Sequence, residues 1–144
     1  MSRWPVALVA AVLVAAGGAV DSLAQPSGKL DGTWTAVSAE RDGKPADELR
    51  GNRLTLAGNT FVIRREGKTL YRGTFTTDPA RKPAHIDFRH TEGELNGKTW
   101  LGVYVLDGDS LQIADNAVDM AKPRPTRLAT RPDSGYVLLA FKRM

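Results

Sequence analysis

Two histidines, His85 and His90, are the side chains of this chain best suited to acid–base or metal chemistry. They lie five residues apart in a run that alternates like a β-strand, so their odd spacing directs them to opposite faces. They therefore do not share a metal ion, and no third ligand stands at a recognisable spacing. His85 and Asp87 share a face, but two positions along a strand separate residues by about 7 Å. No Gly-x-Ser-x-Gly turn is present to hold a nucleophilic serine.

Carboxylates spaced by two residues occur twice, at Glu92 and Glu94 and at Asp107 and Asp109. This spacing could suggest an acid–base pair or a calcium site, but both pairs lie in predicted turns, where acidic residues are common. An EF-hand that begins at Asp107 fails because its fifth position is Leu111. Phosphate-binding glycine loops are absent from the sequence, and so are cysteines. We therefore predict no catalytic residue, no metal site and no cofactor.

The aromatic side chains of the strand-like runs are the remaining candidates for a binding site. Alternation predicts that five of them point inward, where an apolar cavity with a few hydroxyls could hold a ligand: Phe61, Tyr71, Phe75, Phe88 and Tyr104. The same rings could equally fill the interior as ordinary core. Trp100 is assigned to the outer face, where it would serve a partner surface or cover the strand.

The elements that position these side chains are predicted to be almost entirely β-strands. Short alternating runs are separated by turn signals such as Gly58-Asn59 and Asp107-Gly108, which suit tight hairpins. Between residues 43 and 51, a proline near the start and a glycine at the end predict a helix of one or two turns. The pattern predicts an all-β fold, an antiparallel up-and-down barrel of about eight strands with a short helix after strand one.

Two features near the chain ends suggest how such a barrel closes. Trp34 lies on the first strand and Arg143 on the last, and a cation stacked on a ring would join the two strands into a structural seam. Residues 116–135 contain three prolines and are long for a loop in a compact domain. We expect this loop to have structure of its own, such as a strand over residues 126–130. The loop could form a lid over the barrel, or it could be a surface loop without a functional role.

The first 24 residues are typical of a secretory signal peptide. Arg3 precedes an apolar run over residues 6–20, and small residues, Ser22 and Ala24, stand where a signal peptidase cleaves. We expect residues 1–24 to be removed, residues 25–29 to form a polar lead-in, and residues 30–144 to fold as one domain. The expected product is an exported monomer, periplasmic or extracellular, that keeps no membrane span. Its net charge of +4 is scattered among acidic residues, which argues against nucleic-acid binding.

Three phrases carry a family resemblance, at residues 32–45, 101–111 and 131–138; the first begins Gly32-Thr33-Trp34 and the last contains Ser134-Gly135-Tyr136. Together with a C-terminal basic residue, they resemble an uncharacterised lipocalin-like domain family of planctomycete bacteria, a calycin-like small β-barrel. The resemblance covers nearly all of residues 30–143. It implies a lipocalin-like barrel and, because that family has no assigned activity, it implies no catalytic residues.

Two functions are compatible with these observations. The first is an exported, non-enzymatic barrel that binds a small apolar or amphipathic ligand, and an interior cavity above roughly 300 Å³ would favour it. The alternative is a surface-binding module for a protein or an anionic envelope polymer, which would use Arg64, Arg72, Arg89 and the basic segment 122–127.

Overall fold

A computed structural model describes residues 29–144, which form a closed antiparallel barrel of eight strands. Each strand pairs with the next along the chain, and β8 pairs with β1 to close the barrel. The strands are β1 (Gly32–Arg41), β2 (Arg53–Ala57), β3 (Thr60–Arg65), β4 (Lys68–Asp78), β5 (Ala84–His90), β6 (Thr99–Asp107), β7 (Ser110–Asp115) and β8 (Val137–Arg143). The predicted all-β class and the up-and-down strand order are confirmed.

Tight turns join three pairs of successive strands, and their sequences explain why they form. Gly58 and Gly108 both have φ of 61°, a left-handed backbone that glycine adopts without the steric cost of a Cβ atom. They lie in the β2–β3 and β6–β7 hairpins, where the sequence predicts two-residue loops. The hairpins fix the register of the strands on either side.

The seam joins the first and last strands through main-chain pairing and one arginine. The register runs from Val137 opposite Arg41 to Arg143 opposite Trp34. The Arg143 guanidinium carbon lies 4.2 Å from the centroid of the Trp34 ring, and the guanidinium also donates to the carbonyl oxygens of Asp31 (2.7 Å) and Lys29 (2.9 Å). Arg143 therefore ties together both strands and the segment that precedes β1. We call this end of the barrel the seam end.

The core fills the half of the barrel nearest the seam end. Its side chains come from alternate positions of the strands, as expected for a sheet with one face turned inward. Trp34 is fully buried, and its indole nitrogen donates to the Leu30 carbonyl oxygen at 2.9 Å. The largest buried neighbours are Leu30, Leu56, Phe61, Ile86 and Leu111.

The long connection between β7 and β8 lies along the outer face of the barrel. The side chain of Asn116 accepts from the Leu101 N–H (2.9 Å) and donates to the Lys122 carbonyl oxygen (2.8 Å). Arg124 donates to the Gly102 carbonyl oxygen at 2.8 Å and forms a salt bridge with Asp87. The loop is therefore held against β5 and β6, which agrees with the expectation that it has structure of its own.

Two local predictions are corrected. In place of the short helix after strand one, the chain forms a two-residue strand, Lys44–Pro45, and one 3-10 turn, Asp47–Leu49. Pairing of Lys44–Pro45 with the end of β1 keeps this segment extended, so too few residues remain for an α-helix. Residues 126–130 form no strand, because each barrel strand already pairs with a neighbour on both sides and leaves no free edge for them.

Gly73 tests the packing of the barrel wall. A Cβ atom at this position would overlap the Arg89 carbonyl oxygen and lie 2.9 Å from the Phe61 ring. We expect Gly73→Ala to lower the free energy of unfolding by about 1 to 3 kcal/mol, because the strand and the ring must both shift. Urea denaturation measures the change, with Thr76→Ala on the exposed face of the same strand as control. Equal midpoints for the two variants would contradict the expected clash.

The predicted signal peptide, residues 1–24, lies outside the described residues, and of the lead-in only Lys29 is described. Within residues 29–144, no helix is long and apolar enough to cross a bilayer.

Candidate functional site

A cavity of about 590 Å³ opens at the end of the barrel opposite the seam. The end of β1, the start of β2, the start of β4 and the start of β6 all contribute to its wall, together with the loop between β5 and β6. Its volume lies in the range of pockets that hold small molecules and exceeds the roughly 300 Å³ above which a ligand-binding role is favoured. We call it the barrel cavity.

Apolar side chains form most of the wall of the barrel cavity. The aliphatic members include Leu49, Leu54, Ile63, Leu70, Val137 and Leu139. Three aromatic rings join them, those of Tyr71, Trp100 and Phe141. Of these, Leu70 and Tyr71 are partly open to solvent, with exposed fractions of 43% and 37%. The wall is therefore suited to an apolar ligand that enters from this end.

Trp100 is an inward residue, which corrects its assignment to the outer face. Trp100, Gly102 and Tyr104 are spaced by two on β6, so the side chains of Trp100 and Tyr104 point inward and Gly102 lies on the same face. Only 7% of Trp100 is exposed, and it lines the barrel cavity. Its indole N–H is buried and receives no hydrogen-bond acceptor from residues 29–144. Trp100 therefore contributes the apolar part of its ring to the wall.

An aromatic cluster lies behind this part of the wall, centred on His90. The ring centroid of His90 is 4.2 Å from that of Trp100, 5.5 Å from that of Tyr71 and 5.4 Å from that of Phe61. Burial lowers the pKa of His90, because the charged imidazolium would lose its hydration there. Neither ring nitrogen has a hydrogen-bond partner in the described part of the chain. His90 therefore acts as a neutral ring in this cluster.

Asp115 is the buried acid of the cavity. It continues the inward parity of Leu111 and Ile113 on β7 and lies opposite Gly102 on β6. A Cβ atom at Gly102 would come within 3.1 Å of the Asp115 Cβ atom, so glycine leaves room for the carboxyl group. Burial raises the pKa of Asp115 to about 7, because the cost of desolvating the carboxylate exceeds the stabilisation by the Ala117 N–H.

The remaining charges of the cavity lie nearer its mouth. Arg41 and Arg53 contribute two cations, while Glu92 and Glu94 contribute two carboxylates from the loop between β5 and β6. Arg41 is paired with Glu48 outside the cavity, at 2.6 Å. The mouth is thus polar and mixed in charge, and the apolar wall begins below it.

The structure divides the five aromatic residues predicted as ligand-binding. Tyr71 lines the barrel cavity, and its ring centroid lies 5.0 Å from that of Trp100. The other four, Phe61, Phe75, Phe88 and Tyr104, are buried in the core beside the cavity. Burial also raises the pKa of the Tyr104 hydroxyl. Their contact with a ligand stays a prediction, with Tyr71 the one placed for direct contact.

The candidate residues for catalysis or metal binding do not lie together in one site. His90 points inward and is sealed by rings, whereas His85 alternates with it on β5. Asp87 forms a salt bridge with Arg124 of the long loop and does not face the cavity. Over residues 29–144, no group of three His, Asp or Glu side chains is placed to hold a metal ion.

Asp115 and Asn52 are polar cavity residues that the sequence analysis missed. A signal for Asp115 was present, since the residue stands two places after Ile113 in the same alternation. Asn52 lies in the turn that precedes β2, and its buried side-chain oxygen has no donor among the described residues. No periodic pattern marks a turn residue of this kind.

Comparisons of the chain with protein families, with curated proteins and with solved structures found no match. The geometry of the barrel cavity therefore carries the functional argument.

Proposed function

We propose that this protein is an exported, non-enzymatic, lipocalin-like barrel that binds a small apolar or amphipathic molecule in the barrel cavity. The observation that carries the proposal is the cavity of about 590 Å³ with a mainly apolar wall. Eight-stranded barrels can either fill their interior with side chains or hold one small ligand. Here one half is filled, and the other half has room for a ligand.

The lipocalin-like part of the proposal is supported by three features. The strands follow one another around a closed barrel, the first strand carries Trp34, and Arg143 on the last strand stacks on its ring. The phrases around residues 32–45 and 131–138 add the sequence resemblance. Export is supported by residues 1–24, whose charge and apolar run are those of a signal peptide.

A binding role is favoured over catalysis by the chemistry of the cavity wall. Its buried acid, Asp115, is the polar group best placed to form a hydrogen bond with a ligand. No nucleophile lies beside a base in the described wall, because His90 is enclosed by rings. A few polar groups in an apolar wall are the usual composition of a ligand pocket.

The alternative, a surface module for a protein or an anionic envelope polymer, draws on the outer arginines and segment 122–127. Two of these cations already have partners, since Arg124 pairs with Asp87 and Arg72 lies 4.0 Å from Glu92. The outer surface therefore offers less unpaired positive charge than the sequence suggests. We rank the cavity above it for this reason.

A blocking substitution tests the cavity as the binding site. Ala117 lines the barrel cavity, whereas Ala121 lies on the exposed part of the same loop, so the two positions form a matched pair. We expect Ala117→Phe to weaken binding of the apolar dye N-phenyl-1-naphthylamine by about tenfold or more, because the new ring occupies ligand space. Dye fluorescence measures the affinity.

Ala121→Phe is the control and should bind the dye as the native protein does. Native mass spectrometry of the purified protein adds a second readout, because a tightly held natural ligand would appear as added mass. Equal dye affinity in both variants, with no mass retained, would contradict ligand binding in the cavity. A salt-sensitive pull-down from envelope extracts would then favour the surface module, since surface charge interactions weaken with salt.

A further inference from the structure

The Asp115 carboxyl group has one oxygen committed to the protein and one available to the cavity. Its Oδ1 atom accepts a hydrogen bond from the Ala117 N–H at 3.1 Å. Its Oδ2 atom receives no hydrogen bond from any residue in the described range 29–144, and no cation of that range lies within 4.0 Å of the carboxylate. Yet only 5% of Asp115 is exposed. A buried carboxylate without a counterion is costly, so a cationic ligand would supply what the protein does not.

The charges that line the barrel cavity also favour a cation. Two cations, Arg41 and Arg53, stand against three carboxylates, Glu92, Glu94 and Asp115, so the formal sum is −1 when Asp115 is ionised. The sum does not change when the partners outside the cavity are counted, because Glu48 balances Arg41 and Arg72 balances Glu92. An anionic ligand would therefore enter a cavity that already carries excess negative charge.

The aromatic wall contributes a second attraction for positive charge. The rings of Tyr71 and Trp100 both line the cavity, with their centroids 5.0 Å apart. Aromatic rings attract an ammonium group through their quadrupole, and tryptophan does so most strongly. Acid and rings thus lie in one apolar enclosure, which suits a molecule with an apolar body and a charged amine.

We propose that the ligand class of the barrel cavity is an amphipathic amine, whose ammonium group pairs with Asp115 while its apolar body packs against the cavity wall. This inference rests on the proposed function, because it names the chemistry of the molecule that the cavity holds. A fatty carboxylate and a neutral alcohol are the competing classes. Each is represented in the test.

The first measurement compares three probes that share one apolar chain and differ in the head group: decylamine, decanol and decanoate. Isothermal titration calorimetry with the purified protein at about pH 8 should show decylamine binding about tenfold or more tightly than either of the others, because only it gains a desolvated charge pair. Asp115→Asn should abolish this preference while decanol affinity stays unchanged. Retained decanol binding shows that the variant still folds around its cavity.

The matched control is Asp119→Asn. Asp119 lies on the loop that follows β7 and accepts a hydrogen bond from a backbone N–H two residues on, as Asp115 does, but its side chain is exposed and outside the cavity. The variant removes the same charge and preserves the same kind of turn. It should therefore keep the full preference for decylamine.

The pH dependence supplies a readout that a purely structural role of Asp115 would not move. An alkylammonium keeps its proton to about pH 10, whereas Asp115 loses its proton near pH 7. Decylamine affinity should therefore rise about tenfold between about pH 6 and about pH 8, in step with the ionised fraction of the carboxyl group. Decanol affinity should stay constant over that range.

The other ionisable groups that face this cavity come from neighbouring elements. They include Arg41 and Arg53 on β1 and β2, and Glu92 and Glu94 before β6. Tyr71 on β4 is the remaining one in the wall, and His90 on β5 is enclosed behind it with its pKa lowered. Neither β6 nor β8, the strands paired with β7, adds an ionisable side chain to the cavity wall.

The possible outcomes distinguish a failure of the amine inference from a failure of the proposed ligand-binding function. If decanol or decanoate binds as tightly as decylamine, or if Asp115→Asn keeps the preference, the cavity binds ligands but the amine class is wrong. If none of the three probes binds, the amine inference and the proposed function both fail. A decylamine preference that Asp115→Asn removes and Asp119→Asn keeps supports both.

Discussion

Trp34→Ala should lower the free energy of unfolding by about 3 to 5 kcal/mol, the range for truncating a fully buried large aromatic side chain. Trp34 has no exposed surface, and its loss would also leave the Leu30 carbonyl oxygen without its donor. The Arg143 guanidinium would lose the ring beneath it. Urea denaturation followed by circular dichroism measures the change as a lower midpoint at an unchanged slope.

Arg143→Lys separates the two parts of the seam. Lysine keeps the positive charge near the Trp34 ring but cannot reproduce the forked contacts of arginine to the carbonyl oxygens of Asp31 and Lys29. We therefore expect it to cost less than Trp34→Ala, because the core stays filled. If Trp34→Ala leaves the midpoint where it is in the native protein, the packing of the Trp34 ring and its contact with Arg143 do not stabilise the barrel.

The seam could be predicted because it depends on residue types at fixed places in the chain. A tryptophan on the first strand and a basic residue on the last suffice to suggest it once closure of the barrel is assumed. The reason for a glycine at position 32 is visible only in the structure. Gly32 has φ of 138°, and a Cβ atom there would lie 2.9 Å from the Arg143 guanidinium. Arg143 can therefore pack at this position only because residue 32 has no side chain.

The strand order and most inward positions were also predictable, because alternation of apolar residues is a local property. The exception was Trp100. It lies four residues before Tyr104 on β6, and an even spacing along a strand places both side chains on the inner face. The consequence for the site is large, since Trp100 contributes an aromatic ring to the cavity wall.

The cavity itself was not predictable, because volume depends on how side chains from different strands meet. Leu139 and Tyr71 both point into the barrel, yet nothing in the sequence around either residue indicates that the space between their strands remains unfilled. The same holds for Arg124, which reaches Asp87 over 37 positions of chain to fix the long loop. Such contacts follow from the closed topology and not from local pattern.

Asp115 links the stability of the barrel to its proposed function. A carboxyl group held in an apolar cavity costs folding free energy, and proteins keep such costs where binding requires them. If Asp115 served only the turn at Ala117, an asparagine could accept the same N–H without the cost of a buried charge. The pH dependence of stability therefore provides a test that needs no ligand.

Asp115→Asn should stabilise the protein at about pH 8 by roughly 2 to 4 kcal/mol and change its stability little at about pH 4. The folded-state pKa of about 7 lies above the ordinary value of 3.8, so the folded protein retains a proton that the unfolded chain releases. The favourable contribution of Asp115 is therefore complete below the unfolded pKa of 3.8 and is lost progressively as the pH rises to the folded pKa of about 7. Asparagine does not titrate, so the gap between variant and native protein should open over this window. Urea denaturation at several pH values measures it, and a gap that is constant with pH, or equal for Asp119→Asn, would show that Asp115 is not a buried titrating acid.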